Sequence, residues 1–185
     1  MLFFLGVLLA AAAELPYGGW IQIPILSLIW WRMTQQTSSS IKNQFFAGMS
    51  FGIGYFVLGL WWIYISLHDV GGMHTAVSCL AVFLLAAGMA LFFASASLCL
   101  TLPRRKYLTG LVLAASWVLA EYLRSVVLTG FPWMGFAEAQ LNGPFAPVAP
   151  FFGGLACTFL VVWISWEITE LRKNVVFSSS CIISA

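Results

Sequence analysis

The sequence predicts an all-α fold, a polytopic transmembrane helix bundle, and three observations predict it. Of 185 residues 62% are hydrophobic and only 8% charged, too few charges for a chain that must keep several apolar segments in water. The apolar residues gather into runs of the length a bilayer requires. The basic residues fall almost entirely into alternate connections between those runs, the pattern of a chain threaded back and forth with its Lys and Arg kept on one side.

About six spans are expected, within one bundle covering 1–173. The first, about 1–13, reads LFFLGVLLAAAA after Met1. At about 1.5 Å per residue it is short for a hydrocarbon core of about 30 Å, so this terminal segment reads as clipped. A secretory signal is the rival reading, given the small residues before Glu14, but no basic region precedes the apolar run. The second span, about 15–31, carries Pro24, which a membrane helix tolerates when neighbours satisfy the freed carbonyl. The third, about 45–67, holds Gly48 and Gly52 as a GxxxG that lets another helix approach closely. It ends in Trp61, Trp62 and Tyr64, an interfacial aromatic belt. The fourth, fifth and sixth spans cover about 75–102, 107–128 and 148–166. Residues 174–185, NVVFSSSCIISA, start another apolar run too short to cross, so this end also reads as clipped.

Arg32 and Lys42 lie between spans two and three, Arg104, Arg105 and Lys106 between four and five, and Arg172 and Lys173 after six. One orientation places all seven in the cytoplasm and sends the connections near 14–18, 68–74 and 129–147 outside. A net charge of +2 without a basic stripe excludes nucleic acid as a partner. Cys79, Cys99, Cys157 and Cys181 show no CxxC or metal-ligand spacing and read as small packing residues. His68 and Asp69 are half of a metal or acid–base site, but with no third ligand nearby they read as a solvated loop start. No metal or cofactor is expected.

The eighth basic residue, Arg124, stands three residues after Glu121, so a helix puts both on one face within reach of an ion pair. Intramembrane charges of this kind are either a functional pair or a clamp that orients the following loop. That loop, 128–150, is broken by Gly130, Pro132, Gly135, Gly143, Pro144, Pro147 and Pro150, with Phe131, Trp133, Met134 and Phe136 between the breakers. It reads as re-entrant or interface-lying, serving either a lipid or acyl chain or as an aromatic anchor. Glu138 within it reads as a solvated carboxylate. Internal repeats of the transporter kind are not evident.

Two stretches carry a resemblance. GYFVLGLWWIYISLHDVGGM (54–73) and WVLAEYLRSVVLTGFPWMGFAEAQLNGPFAPVAPFFG (117–153) resemble the amino-terminal membrane domain of apolipoprotein N-acyltransferases. E-x-x-R, then TGFPW, a Gln, G-P and A-P carry it, and the likeness covers about 45–166. The resemblance implies a bacterial inner-membrane enzyme that moves an acyl chain from a phospholipid donor to the amino-terminal Cys of a diacylglyceryl lipoprotein. In that family a nitrilase-like domain supplies a nucleophilic Cys assisted by Glu and Lys, since a thiolate is the competent nucleophile. No catalytic residue maps onto this chain, and none of its four cysteines takes that role. By resemblance Glu121, Arg124, Pro132, Trp133 and Gln140 handle lipid or lipoprotein. Where Glu138 stands, the family more often has an aromatic residue. The expectation is the membrane part of such an enzyme, active only when joined to its catalytic domain. The alternative is a truncated, inactive membrane scaffold or lipid-binding module.

Overall fold

The computed structural model describes residues 1–36, 40–102 and 106–183, in backbone only at 36, 106, 107, 128 and 175–183. Arg104 and Arg105 lie outside the described residues, as do the side chains of Lys106 and Cys181. The fold is all-helical, with no strand among the described residues. Helix α1 is Leu2–Ala13, α2 Gly18–Gln36, α3 Ile41–Gly59, α4 Trp61–Ile65, α5 Thr75–Ser97 and α6 Lys106–Val126. After the loop come the short α7, Ala149–Phe152, and the long α8, Gly154–Ile183.

The six long helices close into a ring. Going round it, α1 packs on α3, α3 on α5, α5 on α6, α6 on α8, α8 on α2, and α2 back on α1. Apolar side chains outside the ring cost nothing in lipid, which is why Phe4, Phe46, Leu80, Leu84 and Leu119 are free to stay exposed. Inside it, Trp30, Phe51, Tyr55, Phe56, Phe93 and Trp117 form an aromatic core, with Phe93 and Trp117 centred 4.5 Å apart.

Small and polar residues set the seams. On α3, a Cβ added to Gly52 would lie 2.8 Å from Ala90 Cβ, and one on Gly48 would lie 2.8 Å from Ala94 Cα, so the GxxxG face is where α5 docks. Between α2 and α8, Ser27 Oγ donates to Ser165 O at 2.9 Å and Trp30 Nε1 to Ser165 Oγ at 2.7 Å. Thr169 Oγ1 donates back to Ser27 O at 2.9 Å. At the end of the bundle away from the long loop, Arg32 and Arg172 both sit over the Trp31 ring, 4.7 Å and 4.9 Å from its centre.

Several boundaries differ from expectation: α2 ends at Gln36 rather than about 31, and α3 begins at Ile41 rather than about 45. The third span is bent by 50° at Leu60, so that α3 gives way to α4 and a π-helical turn, Ser66–Val70. At this bend Met134 of the long loop packs against Gly59, its side-chain end filling the place a Cβ there would take. The last helix begins at Gly154 rather than 148, after a break at Gly153 with φ +78°, and runs unbroken through the stretch the sequence sets apart from 174. By length and apolarity alone, Thr75–Thr101 and Gly154–Asn174 are long enough to cross a membrane, and the bent pair makes a third.

Candidate functional site

Helix α6 ends in a 3-10 turn, Val127–Thr129, and at Gly130 the chain turns back with φ +81°. Only glycine suits that conformation, and a Cβ there would collide with the Ser125 carbonyl. The chain then dips into the mouth of the ring. Phe136 is fully buried, stacking on Trp117 at 5.5 Å and meeting Tyr55 edge-on at 5.7 Å.

An irregular segment inside an apolar bundle has no helical partners for its peptide groups, and each group left unpaired there costs several kcal/mol, about the cost of a lost buried hydrogen bond or more. Side chains from three helices and the loop satisfy them, and a fourth helix, α8, braces one of these side chains. Glu121 Oε1 accepts from Phe136 N at 2.9 Å, while Oε2 accepts from Thr158 Oγ1 of α8 at 2.8 Å. Arg124 Nη1 donates to Phe131 O at 2.9 Å and also to Trp133 O. Tyr55 OH donates to Met134 O at 3.3 Å, and Gln22 Nε2 to Phe136 O at 3.2 Å. Glu138 closes the turn, its two oxygens accepting from Met134 N at 3.1 Å and Gly135 N at 3.0 Å.

Glu121 and Arg124 are therefore neighbours on one helical face, but no ion pair joins them; each spends its charge on loop peptides. Gln140 is buried and donates to Gly19 O at 3.0 Å and Gln22 Oε1 at 2.7 Å, tying a 3-10 turn, Glu138–Asn142, to the start of α2. Pro132 and Trp133 go the other way. Trp133 is 52% exposed, with Phe131 5.1 Å and Trp62 of α4 6.3 Å away, ring centre to ring centre. The structure thus brings Glu121, Arg124 and Gln140 together as supports and puts Pro132 and Trp133 on the surface they support.

Four participants escaped the sequence: Gln22, Tyr55, Glu138 and Thr158. Glu138 sits four and three residues after the amides it binds, a spacing that hints at the contact once the turn is known; the other three carry no local signal. A crevice of about 290 Å³ opens beside the loop, lined by Glu121, Arg124, Pro132, Gly135, Glu138 and Leu155, among others. Among the described residues, no group of three or more His, Cys, Asp or Glu gathers as metal ligands would. His68 Nδ1 lies 2.7 Å from Met73 O, and its Nε2 is 3.9 Å from Asp69 on an exposed turn. Cys99 and Cys157 are buried and Cys79 is exposed. The arrangement can hold a polar, irregular stretch of backbone rigid at the mouth of an apolar bundle and present an indole beside it.

Comparison with known proteins places these features in a family. The model of the apolipoprotein N-acyltransferase N-terminal domain matches residues 5–166. The chain is 36% identical to the apolipoprotein N-acyltransferase of Haemophilus ducreyi over 86% of its own length, and 34% identical to that of Pasteurella multocida over 90%. The protein of the same name from Ralstonia nicotianae is 37% identical over 72% of the chain. The match spans about 31% of the length of the first two relatives. On this combined match, the chain belongs to the apolipoprotein N-acyltransferase family.

Proposed function

We propose that this chain forms the membrane part of an enzyme that transfers an acyl group from a phospholipid to the amino terminus of a diacylglyceryl lipoprotein, and that its 131–136 loop contacts lipid. The observation that carries this reading is the loop itself: buried Glu121 and Arg124 hold its backbone while Trp133 stands half exposed beside Trp62. An indole held at headgroup depth by a rigid support suits an amphipathic ligand, because it offers apolar area and an N–H donor together. Pre-positioning of this kind favours transfer, which depends on holding donor and acceptor in register.

In the proposed arrangement the chain crosses the bacterial inner membrane about six times. The end carrying Arg32, Lys42, Arg172 and Lys173 faces the cytoplasm, and the 129–147 loop faces outward. The acyl-transfer chemistry belongs to the nitrilase-like domain expected from the family resemblance, and Glu121, Arg124, Pro132, Trp133 and Gln140 serve it by building and presenting the loop.

The test is Trp133→Ala in the intact enzyme. Acyl transfer should fall by about tenfold while membrane-inserted protein stays constant, because an exposed side chain contributes little to folding. Unchanged transfer would reduce the loop to a membrane anchor and favour a scaffold reading.

A further inference from the structure

The end of the bundle away from the loop carries charge that the loop seat does not use. Along the α2–α8 seam, Thr169 Oγ1 donates to Ser27 O at 2.9 Å, and this bond fixes the register of the two helices there. One turn further along each helix, the same register brings Arg172 of α8 to Trp31 of α2. The Cζ atoms of Arg32 and Arg172 lie 4.7 Å and 4.9 Å from the centre of that one ring, so the two cations sit within about 10 Å of each other.

No carboxylate neutralises either of them. Among the described residues no ion pair includes Arg32 or Arg172. The acids nearest to Arg172 along α8 are engaged elsewhere, Glu170 with Lys173 Nζ at 2.7 Å and Glu167 with Trp163 Nε1 at 3.2 Å. Arg32 Nε is moreover buried with no hydrogen-bond partner, so neither water nor protein offsets that part of its charge. Two like charges held on one indole attract an anion that can bridge them. A guanidinium over a ring keeps its N–H donors at its own edge, where phosphate oxygens pair with them two at a time.

We propose that Arg32 and Arg172, held on Trp31, bind the phosphate of an anionic lipid in the leaflet away from the loop. The occupant is a lipid because Trp31 stands near the end of a membrane-bundle helix, the depth at which an indole meets headgroups. It is a net anion because the ammonium of a zwitterionic headgroup would bring a third cation to two that already repel each other. It is not the acyl donor of the proposed reaction. Gly19, at the start of α2, touches Gln140 of the loop, and Arg32 lies about 20 Å further along that helix. The bridging phosphate instead ties α2 to α8 where their hydrogen-bonded seam runs out. The site rests on the chain's place in the membrane and not on acyl transfer.

The full chain in a maltoside detergent is titrated with phosphatidylglycerol and with phosphatidylcholine, and bound lipid is counted by native mass spectrometry. Phosphatidylglycerol should bind about tenfold tighter than phosphatidylcholine, the worth of one charge-assisted pair of bonds. Arg172→Gln should abolish that preference, and because Arg172 is exposed the variant should fold as the wild type does. Arg32→Lys keeps the charge without the fork and should weaken phosphatidylglycerol binding several-fold. Lys42→Gln, which removes an exposed charge at the start of α3, should leave the preference intact. Equal binding of the two lipids by the wild type, or an unchanged preference in Arg172→Gln, overturns the site. A loss with Lys42→Gln as large as that with Arg172→Gln overturns it too, since attraction would then be diffuse. Inorganic phosphate that competes as well as the lipid would mean a free-anion site and overturn the lipid assignment. Because no acyl transfer is measured, loss of the proposed enzymatic role would leave this result standing.

Discussion

The α3–α5 seam and the loop seat solve opposite problems. Along the seam both backbones are helical and already satisfied, so contact is gained by removing side chains: Gly48 and Gly52 let Ala90 and Ala94 come within van der Waals distance. At the seat the backbone is irregular, and contact is gained by adding side chains long enough to reach it: Gln22, Tyr55, Glu121, Arg124 and Glu138. The difference teaches where charge belongs in an apolar bundle. Glu121 and Arg124 are tolerated because peptide groups need them, and the hydrogen bonds of each go to the loop rather than to the other.

The largest expected effect breaks the seat. Glu121→Ala leaves buried Phe136 N and Thr158 Oγ1 without their acceptor, which should cost about 3 kcal/mol or more in detergent-unfolding measurements. An exchanged pair, Glu121→Arg with Arg124→Glu, should be no better than either single change, because neither residue is the other's partner. Rescue by the exchange would restore the ion pair the spacing suggests. The seam should yield somewhat less: Gly52→Leu forces α3 away from Ala90 at about 2 kcal/mol, visible as a lower unfolding midpoint with the loop intact. Tyr55→Phe deletes one hydroxyl from the seat and should cost about 1 kcal/mol by the same measurement. Thr169→Val on the α2–α8 seam should cost about 0.6 kcal/mol, since helices there are also held by packing. A Thr169 effect larger than that of Glu121 would invert the comparison.

Much of the seam was legible in the sequence and little of the seat. GxxxG at Gly48 and Gly52 has a fixed helical spacing, so its docking face follows from local geometry. Glu121 and Arg124 share a helical face for the same reason. What they bind does not follow, because their partners are main-chain groups of a loop whose path depends on Gly130, Met134 and the whole ring. Tyr55 meets Met134 across 79 positions and Gln22 meets Phe136 across 114, and neither stands out in its apolar helix. The bend at Leu60 was hidden likewise, since the residue packed beside it on Gly59, Met134, comes from the distant loop. Glu138 is exposed as the sequence suggests, but its hold on two amides was hidden, because an exposed carboxylate looks the same in sequence whether or not it makes such bonds.

Amide hydrogen exchange at Phe136 tests the seat most directly, since this is the peptide group that Glu121 holds at 2.9 Å beneath a fully buried ring. Exchange as slow as that of the α6 interior, and accelerated by Glu121→Ala, is the predicted result. Exchange as fast as that of exposed Leu141 in the wild-type chain would mean that the loop lies outside the bundle and that no such grip exists.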